Sequence, residues 1–238
     1  MKVAICISGG IKYPEKSLES LKRISPKGFH VFIHTWNITD KGSYLQNIGK
    51  EQLRPYSKEQ VLNFYKESTE NRLHLLKYYN YEDLLIENFE DLKPTFQEYF
   101  DSMSFPSYQR RDVGFMSMYY SFFKSNELKC QYEKKNNMLF DRVVRMRFDS
   151  DIVNDIDIEA LKCPLNLEKN TGDWGGLSDQ FAIGDSESMD HYCNIYYNLN
   201  NLQHVKFHPE SLVEEHLSKS DVIELPFKVR INGRNELT

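Results

Sequence analysis

The sequence has few cysteines, and no two of them are spaced as a metal-binding pair. Its 238 residues include four, at Cys6, Cys130, Cys163 and Cys193, and no CxxC motif occurs. Neither a zinc ribbon nor a disulfide-stapled scaffold is therefore expected. The pattern predicts reduced, mostly structural thiols in a cytoplasmic setting.

Long hydrophobic runs are also missing. The apolar N-terminal stretch "MKVAICIS" is about one strand long before Gly9 and Gly10 interrupt it. That is too short for the hydrophobic region of a signal peptide or for a membrane span. Because the chain also lacks internal repeats, low-complexity tracts and a recognisable linker, we predict one soluble domain.

A clustered basic surface is the third absence. The chain has 30 Lys and Arg against 35 Asp and Glu, a formal net charge of −5, and no long basic run. Binding to nucleic acid depends on clustered Lys and Arg that contact phosphates, so nucleic acid is not an expected partner. A local basic pocket for one small phosphorylated ligand is still compatible with this composition.

What the sequence does contain is an alternation of strand and helix patterns. Residues 2–8 form an apolar run closed by two glycines, 14–24 have helical spacing of leucine and isoleucine, and 30–36 form a second apolar run. This β-α-β opening predicts an α/β fold with a parallel sheet. Further strands are predicted at 83–89, 141–155, 179–185 and 221–231, and further helices at 58–67, 90–101, 113–135, 186–199 and 209–219. In the helix at 113–135 we expect a buried first half and a solvated, charged second half.

The stretch "DRVVRMRFDSDIVND", residues 141–155, ends in two carboxylates that are one residue apart. If the strand stays extended to Asp151, then Arg145, Arg147, Asp149 and Asp151 share one face. Ligands of open α/β sheets bind at the carboxyl ends of strands. Carboxylates are hard donors that suit Mg²⁺ or Mn²⁺, and these ions often share their ligands with substrate phosphates. The stretch therefore predicts a cation site at the sheet edge.

Three other interpretations of this stretch need to be weighed. The residues could form a buried Arg/Asp ion-pair lattice. An EF-hand does not fit, because Asn154 would occupy its glycine position. A haloacid-dehalogenase-like phosphatase would use Asp149 as its nucleophile, with "GDSESMD" as its later acidic motif. Only residues 152–184 separate these two motifs, too few for the β-α units that this class places between them.

The segment "FDRVVRMRFDSDI" resembles the (Y/F)D-x-V-(V/I)-R-x-R-x-D segment of a group of glycosyltransferases with the GT-A fold, from bacterial surface-polysaccharide loci and large DNA viruses. Four further segments agree in order: "VAICISGGIKYPEKSLESLK", "DVGFMSMYYSFFKSNELK", "SDQFAIGDSESMDHY" and "HPESLVEEHL". The resemblance implies a Rossmann-like, mostly parallel sheet flanked by helices in one domain. Its nucleotide-binding half would be about 1–155 and its acceptor half about 156–238.

The activity that this resemblance implies is transfer of a sugar from a UDP- or GDP-linked donor to a hydroxyl of a growing glycan. Mn²⁺ or Mg²⁺ would bridge the donor diphosphate and stabilise its charge as the nucleotide leaves. Asp151 would be the main metal ligand, and Asp149 would contact the ribose or a metal-bound water. His208, or alternatively His216, would supply one more metal or phosphate contact. A sugar-binding module with this fold and no turnover is the non-enzymatic alternative.

Other residues have weaker functional interpretations beside structural ones. Ser8, Gly9 and Gly10 could bring backbone amides close to the nucleotide, or simply form a turn. Arg147 could fork onto a phosphate. Asp179 could be the base that deprotonates the acceptor hydroxyl, or a residue that caps the start of a strand.

Four more residues are considered in the same way. Trp174 could stack on a sugar ring or anchor a loop. Arg110 and Arg111 are expected to be solvated. Glu210 is expected to stabilise the start of a helix at 210–218 rather than to act in chemistry.

Overall fold

A computed structural model of the chain describes residues 1–24, 28–38, 57–106, 112–152, 154–161, 164–169, 175–225 and 229–231. Its strands are β1 (Val3–Gly9), β2 (His30–Trp36), β3 (Asp83–Glu87), β4 (Arg142–Met146), β5 (Ser150–Asp151), β6 (Leu165–Lys169), β7 (Leu177–Gly184), β8 (Val222–Glu224) and β9 (Arg230–Ile231). Its α-helices are α1 (Pro14–Ile24), α2 (Lys58–Leu73), α3 (Phe89–Asp101), α4 (Asp112–Asn136), α5 (Ser186–Cys193), α6 (Ile195–Asn198) and α7 (Pro209–His216). Short 3₁₀ segments follow α2 at His74–Tyr79 and α6 at Leu199–Leu202.

Seven of the strands form one sheet in the order β3-β2-β1-β4-β7-β6-β8. Strands β3, β2, β1 and β4 run parallel to one another, and β8 runs parallel to β6. Strand β7 is antiparallel to both of its neighbours, β4 and β6. The predicted α/β fold, a single domain with a mostly parallel sheet flanked by helices, is confirmed. The arrangement is consistent with a Rossmann-like GT-A fold.

Each face of the sheet covers a separate hydrophobic core. Successive side chains of a strand point to opposite faces, so Cys6 and Val143 belong to one core and Ile5 and Val144 to the other. Helix α4 supplies much of the first core through its aromatic residues, and α1 contributes to the second. Because both faces are covered, the central strands are mostly apolar. No helix within the described ranges is both long and apolar enough to cross a membrane.

The strand predicted for residues 141–155 is shorter in the structure. Strand β4 ends at Met146, and the chain then turns. The Ser150 amide donates to the Arg147 carbonyl at 3.2 Å, and the Arg147 amide donates to the Ser150 hydroxyl at 3.1 Å. These local bonds compete with extension of the strand. The prediction that Arg145, Arg147, Asp149 and Asp151 lie along one continuous strand face is therefore wrong.

The second half of α4 also differs from its prediction. We expected it to be solvated, yet Lys129 is fully buried and Glu133 is 5% exposed. Helix α5 lies against this part of α4 and supplies partners for the buried charges through Ser186 and Asp190. Lys129 can thus be buried because two of its partners come from a helix more than fifty residues away in the sequence.

Candidate functional site

The candidate site lies where β1 and β4 end and the antiparallel β7 begins. Gly9 closes β1 with a φ of 109°, a conformation that residues with a side chain rarely adopt. The hydroxyl of Thr35, on neighbouring β2, donates to the Gly9 carbonyl at 2.8 Å. The turn predicted at Ser8, Gly9 and Gly10 is therefore fixed in shape. Its backbone lies at the sheet edge where ligands of this class of fold bind.

Arg147 and Asp149 form a two-point ion pair just beyond β4. Arg147 Nε lies 2.7 Å from Asp149 Oδ1, and Nη2 lies 2.7 Å from Oδ2. Burial by itself would lower the pKa of Arg147, but the charge and hydrogen bonds of Asp149 outweigh burial and raise it. The alternative in which the acidic motif forms an Arg/Asp ion pair therefore applies to Asp149. Both of its oxygens face a guanidinium.

Asp151 has different surroundings from Asp149. It is half-buried in the two-residue strand β5, whose backbone pairs with Arg230 of β9. Its carboxylate has no hydrogen bond or ion pair to any residue in the described part of the chain. Of the two acidic residues in the motif, Asp151 is the one whose oxygens are available to a ligand.

Asp179 lies near the start of β7 and is 5% exposed. The Gln180 backbone amide donates to the Ser178 hydroxyl at 3.2 Å, and not to the Asp179 carboxylate. The capping role considered for Asp179 therefore falls to Ser178. Burial first, and then the charge of Asp179, raise the pKa of the Tyr119 hydroxyl on α4.

His208 and Glu210 lie at the start of α7, a helix that packs against β7. The His208 Nδ1 and a Glu210 carboxylate oxygen are 2.9 Å apart. Burial lowers the pKa of His208, whereas the charge of Asp179 acts in the opposite direction. Gly176 is required here, because a Cβ at this position would lie 2.5 Å from the Glu210 carbonyl carbon. The segment before β7 is therefore packed closely on the first turn of α7.

The predicted metal ligands Asp149, Asp151 and His208 do not form a compact ligand cluster. Within the described residues, the one group of three potential ligands whose donor atoms all lie within 4.8 Å of one another is Cys130, Glu133 and Asp190. Sequence reasoning missed this group because its members come from α4 and α5. A lysine ammonium is bonded to two of these residues, Glu133 and Asp190.

That lysine is Lys129. Its Nζ lies 2.7 Å from Asp190, 2.9 Å from Glu133 and 2.6 Å from the Ser186 hydroxyl. Burial would lower the pKa of Lys129, but hydrogen bonds and nearby negative charge raise it, so the ammonium stays charged. Burial also raises the pKa of Cys130 to about 12, which keeps that thiol protonated. The group is an ion network around a buried ammonium, which takes the place of a metal cation.

His216, the alternative to His208, is bonded through both ring nitrogens. Its Nε2 donates to the His191 carbonyl at 2.8 Å, and its Nδ1 accepts from the Asn198 amide at 2.9 Å. Burial lowers the pKa of His216 to about 4. His216 is thus a neutral structural residue. Trp174, Arg110, Arg111 and Cys163 lie outside the described residues.

Arg145 is a site residue to which the sequence assigned no role. It is 1% exposed, and its guanidinium carbon lies 3.5 Å from the centre of the Phe122 ring. One of its amino groups donates to the Asp179 carbonyl, and the other lies 3.4 Å from the Ser8 hydroxyl. The available signal was an arginine within the otherwise apolar run "VVRM".

Comparisons with known proteins add little to this geometry. No protein-family model matches the chain, and no curated protein matches it. Among solved structures, the chain is similar to the crystal structure of mouse xyloside xylosyltransferase 1 in its apo form, with a TM-score of 0.39 and 8% identity. The alignment covers 94% of this chain and 84% of that one.

Proposed function

We propose that the chain is a glycosyltransferase that moves a sugar from a nucleotide-diphosphate donor to a hydroxyl of a glycan acceptor. The observation that carries the proposal is the arrangement at the sheet edge. The fixed glycine turn at the end of β1 adjoins the acidic motif that follows β4. Asp179, at the start of β7, lies on the other side of β4. This edge offers a donor side and an acceptor side in one site.

On the donor side, the backbone at Ser8 and Gly9 can approach a diphosphate closely, because glycine has no side chain in the way. Arg147 contributes a positive charge that Asp149 holds in place. Asp151 fits a divalent cation, because Mg²⁺ and Mn²⁺ are often bound by one or two carboxylates together with substrate phosphates. When bound, such an ion would stabilise the charge that develops on the departing diphosphate.

The role proposed for Asp149 differs from the one implied by the resemblance. Its two oxygens are engaged by Arg147, so we assign it the orientation of that guanidinium rather than contact with the ribose or a metal-bound water. His208 as a third contact stays a prediction. Since its Nδ1 lies against Glu210, it would have to use Nε2.

On the acceptor side, Asp179 has the properties of a general base. Its carboxylate is held in the site by a buried backbone, and no hydrogen bond to it occurs within the described ranges. A carboxylate in this position can accept the proton of a sugar hydroxyl as that hydroxyl attacks the donor carbon. Glycosyl transfer therefore needs Asp179 and the donor side at a fixed separation.

The phosphatase alternative is not favoured by the geometry. An aspartyl nucleophile needs an oxygen free to attack phosphorus, and both oxygens of Asp149 accept hydrogen bonds from Arg147. A phosphatase would release phosphate from p-nitrophenyl phosphate in the presence of Mg²⁺. We expect no such release.

Isothermal titration with UDP, GDP and their sugar conjugates, with and without Mn²⁺, tests the donor half of the proposal. We expect one nucleotide to bind in a Mn²⁺-dependent manner, and slow hydrolysis of its sugar conjugate to follow. Binding without any hydrolysis or transfer would favour the non-catalytic module. No binding of any nucleotide would overturn the proposal.

A further inference from the structure

We propose that Arg145 is a positioning residue that sets the separation between the donor side and the acceptor side of the site. The inference rests on the proposed function, because it concerns the placement of Asp179 relative to the end of β1. Arg145 does not touch a substrate, since it is 1% exposed. It acts through the groups that its guanidinium contacts, which include the Ser8 hydroxyl and the Asp179 carbonyl.

The position of Arg145 in the sheet makes this bridge possible. Strand β4 lies between β1 and β7, and Arg145 is opposite Cys6 on one side and Ala182 on the other. From there, its two amino groups reach forward to the ends of both neighbours. One contacts the Ser8 hydroxyl and the other the Asp179 carbonyl. Two segments on opposite sides of β4 are thus also joined by one side chain.

The guanidinium itself is well fixed. The ring of Phe122, on α4, supports it from one side at 3.5 Å. A guanidinium is planar and its donors have a rigid fork geometry, so the distance between its two bonded partners is nearly constant. A flexible ammonium could not hold both partners in the same way. The bond to the Asp179 carbonyl fixes the backbone from which the proposed base projects.

Stability alone is a poor explanation for this arginine. Burying a guanidinium carries a large desolvation cost before its interactions are counted, and an apolar residue of similar size often stabilises a core as well or better. Here no carboxylate forms an ion pair with Arg145, and its Nε has no hydrogen-bond partner within the described residues. Burial accordingly lowers the pKa of Arg145. We therefore assign to Arg145 the role of holding the end of β1 and the start of β7 at a fixed distance from each other.

The geometry matters because transfer depends on small distances. A displacement of about 1 Å in a catalytic group can reduce a rate about a hundredfold. If Arg145 no longer holds the Asp179 backbone, the carboxylate should lose its alignment with the acceptor hydroxyl. Donor binding, which depends on Asp151 and the β1 turn, should change much less.

The test compares Arg145→Lys with Arg142→Lys. Arg142 is a matched control on the same strand, because it also donates to backbone carbonyls, those of Asp141 and Leu161, but at the opposite end of β4. Hydrogen exchange of the amides at 177–182 gives a readout that needs no activity. Transfer kinetics and nucleotide affinity are then measured on the same proteins.

In Arg145→Lys we expect faster exchange at 177–182, a fall in transfer kcat of about a hundredfold, and donor affinity within about threefold of the parent. Arg142→Lys should leave all three near the parent values. Unchanged exchange in Arg145→Lys would overturn the positioning role, as would faster exchange with unchanged kcat. If the parent protein shows no transfer at all, the proposed function fails, whereas the exchange result still decides whether Arg145 holds this segment.

Phe122→Leu provides a second variant in case Arg145→Lys does not fold. It keeps the arginine and removes the ring beneath it. We expect a smaller change in the same direction, with faster exchange at 177–182 and kcat reduced by about tenfold. Phe96→Leu is the control, because Phe96 is equally buried but packs against Trp36 in the same core. Equal effects of the two phenylalanine variants would contradict the proposal.

Discussion

Arg147 holds both carboxylate oxygens of Asp149, with two nitrogen–oxygen distances of 2.7 Å. Because of this ion pair, the two aspartates of the acidic motif have different surroundings, and we assign them different roles. Asp149 orients a positive charge at the edge of the sheet, whereas Asp151 keeps its oxygens available for a ligand. Two residues that look equivalent in the sequence should therefore respond differently to the same substitution.

Asp151→Asn should abolish Mn²⁺-dependent nucleotide binding, because the amide retains the shape of the side chain but not its anionic oxygen. Its melting temperature should stay near that of the parent. Titration calorimetry measures the binding, and Asp155→Asn, at an exposed aspartate on the same segment, is the control. Undiminished Mn²⁺ dependence in Asp151→Asn would remove this residue from the site.

Asp149→Asn should have the opposite profile. The amide can accept only one of the two hydrogen bonds from Arg147, so we expect a loss of about 1–3 kcal/mol in the free energy of unfolding. Mn²⁺ dependence of nucleotide binding should survive, although affinity should weaken. Urea denaturation and titration calorimetry measure the two effects. A stable variant that has lost Mn²⁺ dependence would show that Asp149 is a metal ligand after all.

Asp179→Asn should reduce transfer by about two to four powers of ten, the usual contribution of a positioned general base. Nucleotide affinity should be preserved, because the proposed donor side lies on the other side of β4. The transfer rate, nucleotide affinity and melting temperature are measured on one preparation. Weakened nucleotide binding at a normal melting temperature would place Asp179 beside the nucleotide instead.

Lys129→Met should destabilise the fold by about 3–5 kcal/mol, because it leaves the buried carboxylate of Glu133 and the partly exposed one of Asp190 without their shared cation. Nucleotide affinity should not change once the protein is folded. Lys135→Met, on the exposed side of the same helix, is the control and should cost little. Urea denaturation of the two variants and the parent measures the free energies of unfolding that test this prediction. Equal stability of the two variants would contradict a role for the network in the fold.

The low pKa of His216 predicts a pH dependence of stability. The unfolded chain takes up a proton at this residue below its ordinary pKa of 6.5, but the folded protein does so only near 4. Stability should therefore fall as the pH is lowered from about 6.5 to about 4, by roughly 3 kcal/mol at most, and this loss should level off below that range.

The contribution of His216 is isolated by comparing variants. His216→Gln should show a shallower decline in the free energy of unfolding between about pH 7 and pH 4.5 than the parent. His204→Gln, at an exposed histidine, should follow the parent curve. Parallel curves for all three proteins would show that His216 titrates alike in the folded and unfolded states.

The order of strands and helices could be predicted from the sequence because it depends on local patterns. The apolar runs at 2–8 and 30–36 and the helical spacing at 14–24 are short-range signals, and each element formed close to its predicted place. The grouping of Ser8, the acidic motif and Asp179 at one edge also follows from such signals, since strand ends meet there once the strands pair. Strand β6 carried no comparable signal and was missed.

Only the tertiary structure decided which charged groups pair. Nothing in the local pattern shows that the chain turns after Met146, so that Asp149 comes back onto Arg147 while Asp151 does not. Nor does it show that Lys129 is buried, because Asp190 reaches it from another helix. Arg145 likewise acquires its role through contacts with β1, β7 and α4. Hydrophobic periodicity is a property of one segment, whereas ion pairs and hydrogen bonds depend on which segments the fold brings together.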